Sequence, residues 1–206
     1  LAGTLSMPRN AALSREGRVP AVVLVTGSGP QNRDEEILGH RPFAVLADAF
    51  ARAGVAVLRY DDRGFGASTG SFGGSTAYDF ASDADIASEW LKRQAGIDPA
   101  RVGLVGHSEG AMIAPIVAAW QHEGAAPSNP VAFLVLLAPP VETGGETMTR
   151  QTARMYELTG MDPGRSARAV AAHEASMQAI RSFVDPAALR PLVEMLVRSQ
   201  LALQTD

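Results

Sequence analysis

From Leu1 to about Pro140, short apolar runs alternate with helical periods, separated by glycine, proline and aspartate. A bounded run of aliphatic and β-branched residues predicts a strand, and apolar residues returning every three or four positions predict a helix. Leu1–Met7 therefore predicts an edge strand, Ala21–Thr26 a strand buried on both faces, and Val55–Tyr60 the next strand. A helix starts at about Pro42, with Phe43, Leu46, Ala47 and Phe50 on one face, and Gly54 ends it. The following helix, Ala77–Gln94, carries Phe80, Ala84, Ala87 and Leu91 on one stripe. Asp79, Asp83, Asp85 and Glu89 fall largely off that stripe, as on a solvated helix face. The run Val102–Val105 comes next, then Met112, Ile113, Ile116, Val117 and Trp120 at helical spacing, then a buried strand at Ala132–Leu137. Such alternation predicts an α/β fold: a mostly parallel sheet with flanking crossover helices.

Beyond about Val141 the β-branched runs vanish and helical periodicity continues to Leu203. The chain thus divides into an α/β core over residues 1–142 and a helical lid or cap over residues 143–206. In the second part Val170, His173, Met177, Ile180 and Val184 recur along one stripe, and Met148, Met155, Met161, Met177 and Met195 collect there. Unbranched, polarizable methionine suits a helical core, and it also suits a surface that adapts to varied apolar groups.

Composition narrows the classes. The 206 residues hold 46% hydrophobic and 19% charged residues, which is globular, with a net charge of −4 and scattered basic residues. That gives no electrostatic footprint for nucleic acid or an anionic membrane, and no apolar run is long enough to span a bilayer. The chain has no cysteine, which excludes disulfides, thiol catalysis and cysteine metal sites and fits cytoplasm or periplasm equally. It starts at Leu1 instead of methionine, consistent with loss of an upstream segment.

Against that background one pentapeptide stands out: Gly106-His107-Ser108-Glu109-Gly110, directly after an apolar run and directly before a helical period. A serine hydroxyl attacks a carbonyl only when the backbone presents it to a base. A sharp strand-to-helix turn does this, with glycines where side chains would clash, and Ser108 is the candidate nucleophile. The plainer alternative is a tightly packed glycine turn without chemistry. The oxyanion needs backbone donors. The amide of Glu109 is one candidate, and the turn Gly27-Ser28-Gly29-Pro30 supplies the second, Ser28 first and Gly29 next. Tyr60-Asp61-Asp62-Arg63-Gly64 places carboxylates at the end of another strand, where structural use predominates: aspartate accepts turn amides and arginine clamps it.

No base is evident. His40 precedes the nucleophile, His107 adjoins it, His122 lies just past its helix, and His173 sits in a helical stripe. Glu142 is a weak stand-in acid and Asp206 is merely terminal, since triad acid and histidine follow later strands.

The motifs Leu1-Ala-Gly-Thr-Leu, Gly27-Ser-Gly-Pro-Gln-Asn-Arg-Asp34, His40-Arg-Pro-Phe43, Leu58-Arg-Tyr-Asp-Asp-Arg-Gly64 and Gly103-Leu-Val-Gly-His-Ser-Glu-Gly110 together resemble bacterial EstD-type α/β-hydrolases, serine carboxylesterases. The resemblance covers about the first two thirds of the chain. It implies the α/β-hydrolase fold, a helical lid insertion after the strand that follows the nucleophile, no cofactor or metal, and hydrolysis of short acyl esters through an acyl-Ser108 intermediate. It also implies that the triad acid and histidine lie beyond Asp206. The C-terminal remainder of the protein is then needed to complete the site, and the 206-residue chain alone is expected to be almost inactive. Within the lid, His173 and Met177 are the candidate substrate contacts. Asn32 departs from the family, which commonly has an acidic residue there, and this bears on the hydrogen bonds of that loop. A thioesterase or a prolyl-oligopeptidase-like peptidase would use the same nucleophile, and a non-catalytic ligand-binding module would retain the turn without a base.

Overall fold

The computed structural model of the chain describes residues 1–9, 17–123 and 129–182. Val184, Met195 and Asp206 lie outside the described residues. Five strands form one sheet: β1 (Gly3–Ser6), β2 (Val19–Val25), β3 (Ala56–Tyr60), β4 (Ile97–His107) and β5 (Leu134–Leu137), in the order β1-β3-β2-β4-β5. β1 pairs antiparallel to β3, and the other neighbours are parallel.

Alternation along β2 decides which helix covers which face, because successive side chains point to opposite sides of a sheet. Val19, Ala21, Val23 and Val25 pack with Ala81, Ala84, Ala87 and Leu91 of α2 (Ala77–Lys92) and Ile113, Ala114 and Val117 of α3 (Glu109–Glu123). Val22 and Leu24 pack on the other side, with Phe43 and Ala47 of α1 (Pro42–Arg52). β2 is thus apolar on both faces, as parallel central strands are. Each fully buried aliphatic side chain contributes roughly 1.5–3 kcal/mol to this core.

Two features differ from the sequence reading. β5 is not a buried strand: it is an edge of the described sheet, and Val135 and Leu136 are 38% and 40% exposed. Its apolar composition reads like a central strand, but burial requires a neighbour on each side. The carboxylates of α2 are not a solvated face either. Asp79 closes a capping box with Thr76, Asp83 is buried against Arg63, Asp85 accepts from Gln121, and Glu89 pairs with Lys92. The helix is covered on more than its apolar stripe because Arg63 from the loop after β3 and the carboxamide of Gln121 from α3 reach its carboxylates, while Lys92 of the helix itself takes Glu89.

Residues fall into two compact units, Leu1–Pro140 and Val141–Asp206. In the second, α4 (Gly144–Leu158) and α5 (Pro163–Ser182) pack against each other. Thr143 caps α4 through a capping box with Glu146. No described helix is long and apolar enough to cross a membrane.

Candidate active site

The chain leaves β2 toward β3 on one side of the sheet and returns to β4 on the other. The carboxyl ends of β2 and β4 are therefore the switch point at which open α/β sheets bind ligands. Val25 pairs with Gly106, which brings the turn after β2 beside the turn after β4.

One residue, Ser108, separates β4 from α3, and it is held at φ +52°. A non-glycine residue in the left-handed region costs of order 1–3 kcal/mol and persists only where its surroundings over-determine it. Here they do. The Ser108 amide donates to the Leu137 carbonyl at 2.9 Å, and the Ser108 carbonyl accepts from the Ala111 amide at 3.0 Å. A Cβ on Gly106 would stand 2.1 Å from the Gly110 carbonyl oxygen, and one on Gly110 would stand 2.2 Å from that of Val25. Neither position admits any side chain. The half-buried Ser108 also sits where the positive end of the α3 dipole favours developing negative charge.

The turn Gly27–Pro30 is stapled at both ends by one carboxylate. Asp62 Oδ1 accepts from the Thr26 hydroxyl and Asp62 Oδ2 from the Gln31 amide, each at 2.8 Å. Burial pushes the Asp62 carboxyl up to about 6, outweighing the two hydrogen bonds that favour its charged form, and Asp83 and Glu109 nearby push the same way. Asp61 behaves oppositely: hydrogen bonds from Arg33 hold it down to about 2, supported by the amides of Ala67 and Arg33. Arginine does clamp an aspartate in this region, but crosswise. Arg33 takes Asp61, and Arg63 takes Asp83 of α2. Asn32 accepts from the amides of Asp34 and Glu36, so its carboxamide oxygen organises the loop there.

Ser28 and Glu109 are brought to the same end of the sheet, with Gly29 beside them at φ +86°. Gly29, Glu109 and Asp62 line one small recess with Tyr60, Phe72 and Phe80. His107 is bonded through Nδ1 to the buried Glu35, a residue with no motif signal in the sequence. Among the described residues of this unit no histidine ring hydrogen-bonds to the Ser108 hydroxyl. His40 and His122 are exposed, the latter in the last turn of α3. Glu142 is paired with Arg150. His173 and Met177 lie on α5 in the second unit, His173 buried and Met177 lining a groove with Thr149, Arg150 and Ala153 of α4. Among the described residues no cluster of His, Cys, Asp or Glu is arranged to hold a metal ion.

Residues 40–181 match the serine aminopeptidase S33 family. The chain belongs to that family. It is an EstD-type α/β-hydrolase, 32% identical to esterase EstD of Thermotoga maritima over 158 residues, which is 77% of this chain and 35% of that protein. An uncharacterized protein of Mycobacterium tuberculosis is 36% identical over 124 residues, 60% of this chain and 37% of its own length. The chain thus spans about a third of the length of these curated relatives. Among solved structures, the α/β hydrolase GrgF from Penicillium sp. matches with a TM-score of 0.54 at 24% identity, covering 78% of this chain and 51% of that one. Est1E of Butyrivibrio proteoclasticus, solved with ferulic acid bound, matches with a TM-score of 0.52 at 22% identity, covering 75% and 52%. These two likenesses carry the α/β-hydrolase fold.

Proposed function

We propose that the protein hydrolyses carboxylic esters of short acyl chains, with Ser108 as nucleophile. The observation that carries the reading is Ser108 at φ +52° between two glycines that no other residue can replace. In the first half-reaction the Ser108 hydroxyl oxygen attacks the acyl carbon while its proton passes to a base. The negative charge that develops on the carbonyl oxygen falls to the amides of Glu109 and Ser28, with Gly29 as the next donor. The Gly27 amide is already held by Glu35, which makes Ser28 the first donor available in that turn. The ester C–O bond then breaks and the alcohol departs with the transferred proton. Water adds to the acyl-serine in the same manner, releasing the acid and restoring Ser108.

The triad acid and histidine come, in this reading, from sequence following residue 206, and residues 143–206 form a lid in which His173 and Met177 contact the substrate. No cofactor or metal takes part. Membership of a family described as serine aminopeptidases supports a second reading, in which an amide is cleaved by the same attack and an amine departs.

The test uses the full-length protein and its Ser108→Ala variant on p-nitrophenyl acetate, butyrate and octanoate, an acyl thioester, and an aminoacyl p-nitroanilide. Acetate or butyrate should turn over fastest, and Ser108→Ala should lower kcat by about 10⁴-fold or more. Unchanged turnover in Ser108→Ala would refute the nucleophile assignment. Faster cleavage of the anilide than of every ester would favour the peptidase.

A further inference from the structure

Glu35 bridges two loops of the candidate site. It is 2% exposed, and the same oxygen, Oε1, lies 2.7 Å from the Gly27 amide nitrogen and 2.8 Å from His107 Nδ1. Gly27 opens the turn after β2, and His107 is the last residue of β4, immediately before Ser108. One carboxylate oxygen therefore joins the two loops from which the reaction is proposed to draw its oxyanion donor and its nucleophile. A Cβ on Gly27 would stand 3.2 Å from Glu35 Oε1, 3.2 Å from Ser108 Cβ and 3.4 Å from His107 Nδ1, so these groups pack about a single point.

The chain maintains this arrangement at a cost. Glu35 is itself left-handed, at φ +51°. Its amide donates to the Asn32 carbonyl at 2.9 Å, Asn32 Oδ1 accepts from the amides on either side of it, and Arg33 is locked to Asp61. Burying a carboxylate and straining its backbone both oppose folding. A loop whose only task was to connect β2 to α1 would gain nothing from either.

We propose that Glu35 is a positioning residue for the hydrolysis, setting the distance between the oxyanion turn and the serine elbow. This rests on the assignment of Ser108 as nucleophile and the Ser28 amide as an oxyanion donor. Only the two dihedrals of Gly27 separate the amide that Glu35 holds from the Ser28 amide. Release of that hold displaces the donor, and a misplacement of about 1 Å costs roughly 100-fold in rate. The loss falls on kcat and leaves KM nearly unchanged, because the oxyanion exists only after attack has begun.

Two variants of similar size test the proposal in the full-length protein, with p-nitrophenyl butyrate as substrate. Glu35→Gln keeps a carbonyl oxygen for the Gly27 amide and should retain kcat within about tenfold of the parent. Glu35→Leu keeps the bulk but accepts no hydrogen bond, and should lower kcat about 100-fold with KM within about threefold. A Glu35→Leu protein with kcat within about threefold of the parent, or a loss confined to KM, overturns the proposal. Should Glu35→Leu not fold, His107→Phe removes the other leg of the bridge: a fall of about tenfold in kcat at unchanged KM supports the proposal, and kcat within about twofold of the parent overturns it. Ser108→Ala run alongside separates the two claims. If it loses turnover while Glu35→Leu keeps it, the positioning role alone fails, and if Ser108→Ala stays active, the nucleophile assignment and the positioning role fail together.

Discussion

The turn around Ser108 and the helical pair α4–α5 use opposite means of holding a shape. At the turn, backbone lies against backbone: Gly106 touches Gly110, Gly110 touches Val25, and the Ser108 amide is tied to Leu137. Among the described residues of the second unit, contact runs through side chains, and few of them are buried: Tyr156 from α4, and Ala169, His173 and Ser176 from α5. Met148, Met155 and Leu158 are 51%, 62% and 70% exposed. The first arrangement fixes one serine in a strained conformation and leaves no room for a methyl group. The second leaves these apolar side chains exposed. The proposed hydrolysis assigns the first kind of support to its nucleophile and the second to a lid that meets acyl groups of varied shape.

The sharpest way to break this contrast is a matched pair of glycine substitutions. Gly110→Ala places its methyl 2.2 Å from a carbonyl oxygen, and the displacement required should cost roughly 4 kcal/mol or more, or prevent folding. Gly144→Ala, in α4, meets nothing within 4 Å and should change stability by less than about 1 kcal/mol, in the stabilising direction. Urea denaturation of the full-length variants measures both. Equal effects would mean that the two regions do not differ as described.

A smaller effect separates the charges beside the turn from those of the helical pair. The Asp62 carboxyl is raised from 3.8 to about 6, so its protonated form is favoured by folding. Its contribution to stability is fully present below pH ~4 and is lost as pH rises through about 6. Asp62→Asn resembles the protonated acid and removes that loss. It should be more stable than the parent at pH 7.5, by on the order of 2 kcal/mol, and should lose the advantage by pH 4. Thermal unfolding across that range checks the sign. Glu146 in α4 is shifted the other way, its carboxyl held down by hydrogen bonds from Thr143, so substitution there should produce no such gain at high pH.

The regular elements of the core were legible because each carries its own period. Phe43 and Ala47 recur on α1, and Ala84, Ala87 and Leu91 on α2, wherever those helices are placed. Ser108 was legible because its requirement is local: a strand, two glycines and a helix all lie within a few residues. Glu35, Asp62 and Asp83 were not. Their side-chain partners His107, Thr26 and Arg63 lie 72, 36 and 20 residues away, so no neighbouring side chain distinguishes a buried carboxylate from a solvated one. Glu35 is further disguised by its neighbours, since Arg33-Asp34-Glu35-Glu36 reads as an exposed charged loop. β5 differs from them: its composition is that of a central strand, while among the described residues its one neighbour in the sheet is β4.

The proposed hydrolysis depends most on Ser108 being the group that attacks. Full-length protein treated with a fluorophosphonate, digested and sequenced by mass spectrometry should carry the phosphonyl adduct on Ser108, and Ser108→Ala should take up no label. An adduct on another serine, or labelling of Ser108→Ala at the parent rate, would contradict it.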